Sequence, residues 1–119
     1  MILKMYNGDF FYEFYYCFFE KKNNFTKEQI KNNLCKIFDM MDGSYRKLFA
    51  NIRNDIKNET LEKCCIFLSF IYDINLIINN TIYHGITTFD LYKPFIILKN
   101  INNQWKHIEN LNTDCILTY

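Results

Sequence analysis

The chain has no valine, one alanine (Ala50), one proline (Pro94) and three glycines (Gly8, Gly43, Gly85). Phosphate- and dinucleotide-binding loops need clustered glycines where backbone approaches the ligand, and three scattered ones cannot build such a loop. The common nucleotide-binding folds are excluded on that ground. Arginine is nearly absent as well, with only Arg46 and Arg53 beside a long series of lysines. The missing residues have G/C-rich codons, and the abundant Asn, Ile, Lys, Phe and Tyr have A/T-rich ones. The composition therefore records an AT-rich genome as much as a function, and a pair such as Asn102-Asn103 carries correspondingly little weight.

Other absences narrow the field further. Residues 1–8 lack the basic start and continuous apolar run of a signal peptide, and Asp9, Glu13 and Glu20 interrupt the aromatic segment after them. The longest apolar stretch, residues 64–78, contains Asp73 and Asn75 and is shorter than the ~20 residues of a membrane span. A cytoplasmic protein with no membrane partner is the expectation. The five cysteines are odd in number, show no Cys-x-x-Cys spacing and include the adjacent pair Cys64-Cys65, so a disulfide framework is not expected. Sequons at Asn24, Asn58 and Asn79 arise by chance in an Asn-rich chain.

What is present is an aromatic, globular composition. Twelve Phe, nine Tyr and Trp105 lie within 119 residues, of which half are hydrophobic. That is enough for one core and too little for two, so residues 1–119 read as a single domain. The net charge of +1 gives no long-range attraction to nucleic acid or anionic lipid. Residues 21–63 are locally basic, with ten Lys/Arg against six Asp/Glu, a mild excess on mixed-sign helices.

Residues 10–19 read as a helix capped by Asp9, with Asp9, Glu13, Tyr16 and Glu20 on its polar side and Phe10, Phe11, Phe14 and Phe18 for burial. The competing reading is a hairpin turning at Asn7-Gly8 between residues 2–6 and 10–19. Thr26 and Gln29 then make a capping box ahead of the stripe Ile30, Leu34, Ile37, Phe38, Met41, with Gly43 as the glycine after the last turn. Ser44 is expected to cap a second helix through Tyr45, Leu48, Phe49, Ile52 and Ile56. Thr60 would cap a third running through Cys64, Cys65, Phe67, Leu68 and Ile71 to Leu76. Past Asn80 the pattern loosens. Residues 95–98 and 104–108 read either as a hairpin around residues 100–103 or as two short helices, and residues 115–119 as an edge strand.

Candidates for chemistry are few. His84 or His107 beside Cys115 would make a Cys–His pair, but no family signature surrounds any cysteine. Cys35, Cys64, Cys65 and the two histidines would bind zinc only by long-range convergence, without the local ligand pairs of structural sites. Asp73, inside an apolar helix, and Asp90, between Phe89 and Leu91, are the carboxylates of interest, and partial burial of Asp73 is expected. No metal, cofactor or catalytic group follows from these patterns.

The sequence thus predicts a mainly α domain of about four helices with a possible small C-terminal β-hairpin. The alternative is an α+β fold with the helices packed on a C-terminal meander. In size, helix content and codon style the chain resembles small poxvirus signalling antagonists and the toxin-neutralising immunity proteins of mobile elements, a likeness of class alone. The expected function is a non-catalytic module that binds and neutralises or modulates a partner protein. Tyr83, Tyr92 and Trp105 are the candidate aromatic contacts, and Arg46, Lys47 and Arg53 the basic ones. The alternatives are a small enzyme with a Cys–His or Asp–His pair and an RNA- or ribosome-associated factor. Nucleic acid is the weaker partner class, and self-association through the aromatic N-terminal segment is a further expectation.

Overall fold

The computed structural model describes residues 9–19, 23–85 and 91–108. Asp9 starts helix α1 (Phe10–Phe18): its Oδ2 accepts a 2.9 Å hydrogen bond from the Tyr12 amide, satisfying a donor that a helix start leaves open. The helix forms where the polar spacing predicts it, but its polar face differs. Glu13 is buried together with Phe10, Phe11, Phe14 and Tyr15.

Helix α2 (Lys27–Asp39) opens with both halves of the capping box. The Gln29 amide donates to Thr26 Oγ1 at 3.2 Å, and the Thr26 amide donates to Gln29 Oε1 at 2.9 Å. Ile30, Leu34 and Phe38 are buried along one stripe. The next segment departs from expectation. It folds as two short helices, α3 (Gly43–Leu48) and α4 (Ile52–Lys57), with a turn at residues 49–51. Asp42, rather than Ser44, is the N-cap of α3, and Gly43 is its first residue instead of a left-handed stop after α2. The break turns Phe49, Ile52 and Ile56 into the core and leaves Tyr45 and Leu48 outside, so the apparent single stripe belongs to two helices.

Helix α5 (Leu61–Ile71) buries Cys64, Cys65, Phe67 and Leu68 and stops short of Leu76. Asp73 takes a left-handed φ of 52°, and Asn75–Ile78 follow as strand β1. A short apolar run has no period that separates helix from strand. Here the left-handed aspartate and the isoleucines, stiff at χ1, favour the strand.

Strands β2 (Thr81–Tyr83), β3 (Phe95–Ile101) and β4 (Gln104–His107) complete a mixed sheet in the order β2-β1-β3-β4. Both tight turns are asparagine pairs. Asn79 and Asn80 have φ of 48° and 74°, Asn102 and Asn103 of 54° and 65°. Two consecutive positive φ values are what the favoured two-residue hairpin turn demands, and asparagine tolerates them best after glycine. These pairs, for which codon bias alone would account, therefore build two hairpins. Parallel pairing of Asn75↔Phe95 through Ile78↔Leu98 joins the hairpins at the centre of the sheet. Leu76, Ile78, Ile96 and Leu98 enter the core. α1 packs on β3 and β4, α5 on β1 and β2, while α2 bridges α1 and α4.

The mainly helical expectation is overturned: five helices and a four-stranded mixed sheet make this an α+β fold among the described residues. The sheet is also no C-terminal meander, since its central pair is parallel. The strand of the competing hairpin reading at residues 2–6 and the edge strand read at residues 115–119 fall outside the described residues. No helix among those described is long and apolar enough to cross a membrane.

Candidate functional site

Helix α3 buries none of its side chains. It is held from its ends instead. The Arg46 amide donates to the Asp42 carbonyl at 3.0 Å. Beyond its last residue, Phe49 packs on the rings of Phe67 and Phe70, at 5.1 and 5.4 Å. A six-residue helix anchored this way must leave its own apolar groups outside. Leu48 is 59% exposed, and Met40, just past α2, is 85% exposed. Tyr45 rests its ring against Phe70 at 5.2 Å and remains exposed.

Cations border this apolar corner. The Arg46 guanidinium lies 5.5 Å from the centre of the Phe38 ring, a cation–π contact that holds the charge against the surface. Arg53 on α4 makes an ion pair with Asp39, the last residue of α2, its Nη2 donating to both carboxylate oxygens. Through Phe38 and Asp39, Arg46 and Arg53 meet at the same helix end. The charge of Arg53 is answered there. Among the described residues, neither Arg46 nor Lys47 has a carboxylate partner.

The three aromatic candidates are not brought together. Trp105 on β4 is half-buried, edge-on to Phe10 at 5.2 Å. Tyr83 on β2 is half-buried against the core at the opposite edge of the sheet, where burial, with Cys65 and Glu62 nearby, pushes its phenol up. Tyr92 is almost fully exposed in the turn before β3. Two of the three thus serve the core, and the exposed apolar groups beside Arg46 and Lys47 are Met40, Tyr45 and Leu48. Tyr45 and Leu48 stand three apart, which is visible in the sequence but identical to a core spacing.

The chemical candidates are scattered. His84 follows β2 and His107 ends β4, on opposite edges of the sheet and three strand spacings apart, about 14 Å. Cys115 and Asp90 lie outside the described residues. Cys35 is on α2 and Cys64 and Cys65 on α5, and among the described residues no three metal-ligating side chains converge. Burial pushes the Cys64 thiol up to about 12, and Cys65 moves in the same direction. Such groups stay as thiols and behave as small apolar side chains. Asp73, expected within a helix and partly buried, is beyond the end of α5, exposed, and paired with Lys93 at 2.8 Å.

Two carboxylates, on α1 and just before α5, contrast sharply. Burial and then the neighbouring Asp9 charge raise Glu13, and no cation or donor among the described residues reaches it. Glu59 also loses solvent, which raises it, but hydrogen bonds from Lys27 and Lys31 at 2.9 and 3.0 Å outweigh that and hold it low. Lys27 also reaches Asp9 at 3.4 Å, tying α1, α2 and the turn before α5 together.

Compared with protein-family models, curated proteins and solved structures, the chain matches none.

Proposed function

We propose that the protein is a non-catalytic binding module that neutralises or modulates a partner protein through the α3 corner. The observation behind this reading is a helix with no buried side chain. It carries the exposed Tyr45 and Leu48, with the exposed Met40 shortly before it in the chain, and among the described residues Arg46 and Lys47 have no carboxylate partner. Apolar groups clustered in solvent and rimmed by charge are the usual composition of a protein-binding patch. Tyr45 and Arg46 are both already restrained by ring contacts, so little side-chain entropy is lost on docking. The partner that fits is an apolar surface with acidic groups at its edge. The described cysteines are all free thiols, in keeping with a reducing cytoplasmic setting.

Three tagged proteins test the reading in nuclease-treated lysate: wild type, Leu48→Asp, and Arg46→Glu combined with Lys47→Glu. The expected result is one stoichiometric protein held by wild type and lost from Leu48→Asp. The double charge reversal should weaken capture by roughly tenfold, as loss of close charge pairs does. Equal retention by all three would reject the α3 corner. Capture seen only when nuclease is omitted, and lost at moderate salt, would move the function to the nucleic-acid class.

A further inference from the structure

Phe19, which caps the end of α1, and Phe25, which precedes α2, are both exposed although each stands edge-on to Tyr15, at 5.4 and 6.4 Å. Together with Ile30 these rings wall a cleft of 410 Å³ between α1 and α2. Cavities of that size lie within the range that holds small molecules, roughly 300–1,000 Å³.

Behind the cleft is a phenol pair, of which Tyr15 belongs to the lining. The hydroxyls of Tyr15 and Tyr72 are 2.7 Å apart, and Asn33 Nδ2 donates to Tyr15 Oη at 3.1 Å. Tyr15 is only 1% exposed, so its ring closes the back of the cleft, and its hydroxyl, bonded to Tyr72 and Asn33, fixes the Asn33 amide beside it. On the rim, Gln29 Oε1 is occupied by the Thr26 amide, which leaves the Gln29 amide hydrogens as its outward function. Asn32 adds a second amide, and Lys36 adds a positive charge with no carboxylate partner among the described residues. No Asp or Glu lines the cleft among the described residues.

Aromatic walls favour a flat apolar body, and donors with one cation favour a negatively charged acceptor. We infer that this cleft binds a small planar aromatic anion, its ring beside Phe19 and Phe25 and its carboxylate or sulfonate reaching Lys36 and the amides of Gln29 and Asn32. The site is separate from α3 and stands or falls independently of the protein-binding reading.

Anilinonaphthalenesulfonate has this chemistry and serves as the probe on the full chain, read by fluorescence titration and by NMR of side-chain amides. Saturable binding of one equivalent is expected, with the amide signals of Gln29, Asn32 and Asn33 shifted. Lys36→Glu and Phe25→Ala, both at exposed positions, should each weaken binding roughly tenfold with the circular dichroism spectrum unchanged. The uncharged analogue N-phenylnaphthylamine should bind more weakly and ignore Lys36→Glu. Leu48→Asp should bind the dye as wild type does. Non-saturable binding, an unchanged Kd in Lys36→Glu and Phe25→Ala, or loss of binding in Leu48→Asp would each overturn the inference.

Discussion

α1 and α3 are both short and carry large apolar side chains, and the fold treats them in opposite ways. Five of the nine residues of α1 are buried, even the carboxyl-bearing Glu13, while none of the six in α3 is. The difference lies in their surroundings. α1 has the β3–β4 hairpin on one side and α2 on another, so two of its sides are covered. α3 is fixed through Phe49 and a ring contact of Tyr45, and its remaining surface meets solvent. Residue type proposes burial, and the number of neighbouring elements decides it. Apolar area in α1 stabilises this chain, and apolar area in α3 stays in solvent.

The largest effect that would test this contrast is at Phe14, fully buried and touching the rings of Phe10, Tyr15, Phe18 and Tyr72. Phe14→Ala should cost about 3–5 kcal/mol in denaturant unfolding. A cost near that of an ordinary surface change, about 0.5 kcal/mol, would remove α1 from the core.

Next in size is the buried carboxyl of Glu13. Its folded-state pKa lies above the ordinary value of 4.5, so the folded protein keeps a proton that the unfolded chain has released. That contribution is fully present below about 4.5 and is lost as pH rises through the folded-state value. Glu13→Gln removes the loss. Wild type and variant should converge in acid and separate toward neutral pH, with the variant the more stable. Taking the difference between the two proteins cancels the opposite trend of Glu59, whose lowered pKa costs stability in acid. Stability curves that run parallel across the whole range would show Glu13 to be solvated.

A smaller gain is expected at the start of α3. Gly43 has no positive φ, and a Cβ there would meet nothing within 4 Å. Gly43→Ala should therefore stabilise by about 0.4–1 kcal/mol, by restricting the unfolded chain. Destabilisation would mean that α3 is not helical at that end. Leu48→Asp, the smallest, should change stability by no more than about 0.5 kcal/mol, because Leu48 lies outside the core. If Leu48→Asp unfolds the protein, the comparison between the two helices fails.

Legibility in the sequence follows the range of the interactions involved. α2 is readable because its capping box and its stripe both lie within a few residues. The α3–α4 break is not, since Tyr45, Leu48, Ile52 and Ile56 keep one period across a turn that only Phe49 and its distant partners explain. The helix expected through Leu76 fails for a related reason: its last apolar residues pair with Phe95–Leu98, far along the chain. Asn79-Asn80 and Asn102-Asn103 mislead differently. Their frequency in an AT-rich composition hides the left-handed geometry they supply. At the candidate surface, local charge locates Arg46, Lys47 and Arg53, whereas Met40, Tyr45 and Leu48 need knowledge of what fails to cover them.

The sheet also has a consequence in time. Each hairpin closes around a two-residue turn, whereas the parallel pairing that joins them links residues twenty positions apart, as at Asn75↔Phe95. Local loops close faster and at lower entropic cost than distant ones, yet a lone hairpin is barely stable in water. The two hairpins are thus expected to close locally and to persist only once β1 and β3 pair, which makes that pairing the entropically costliest step in building the sheet.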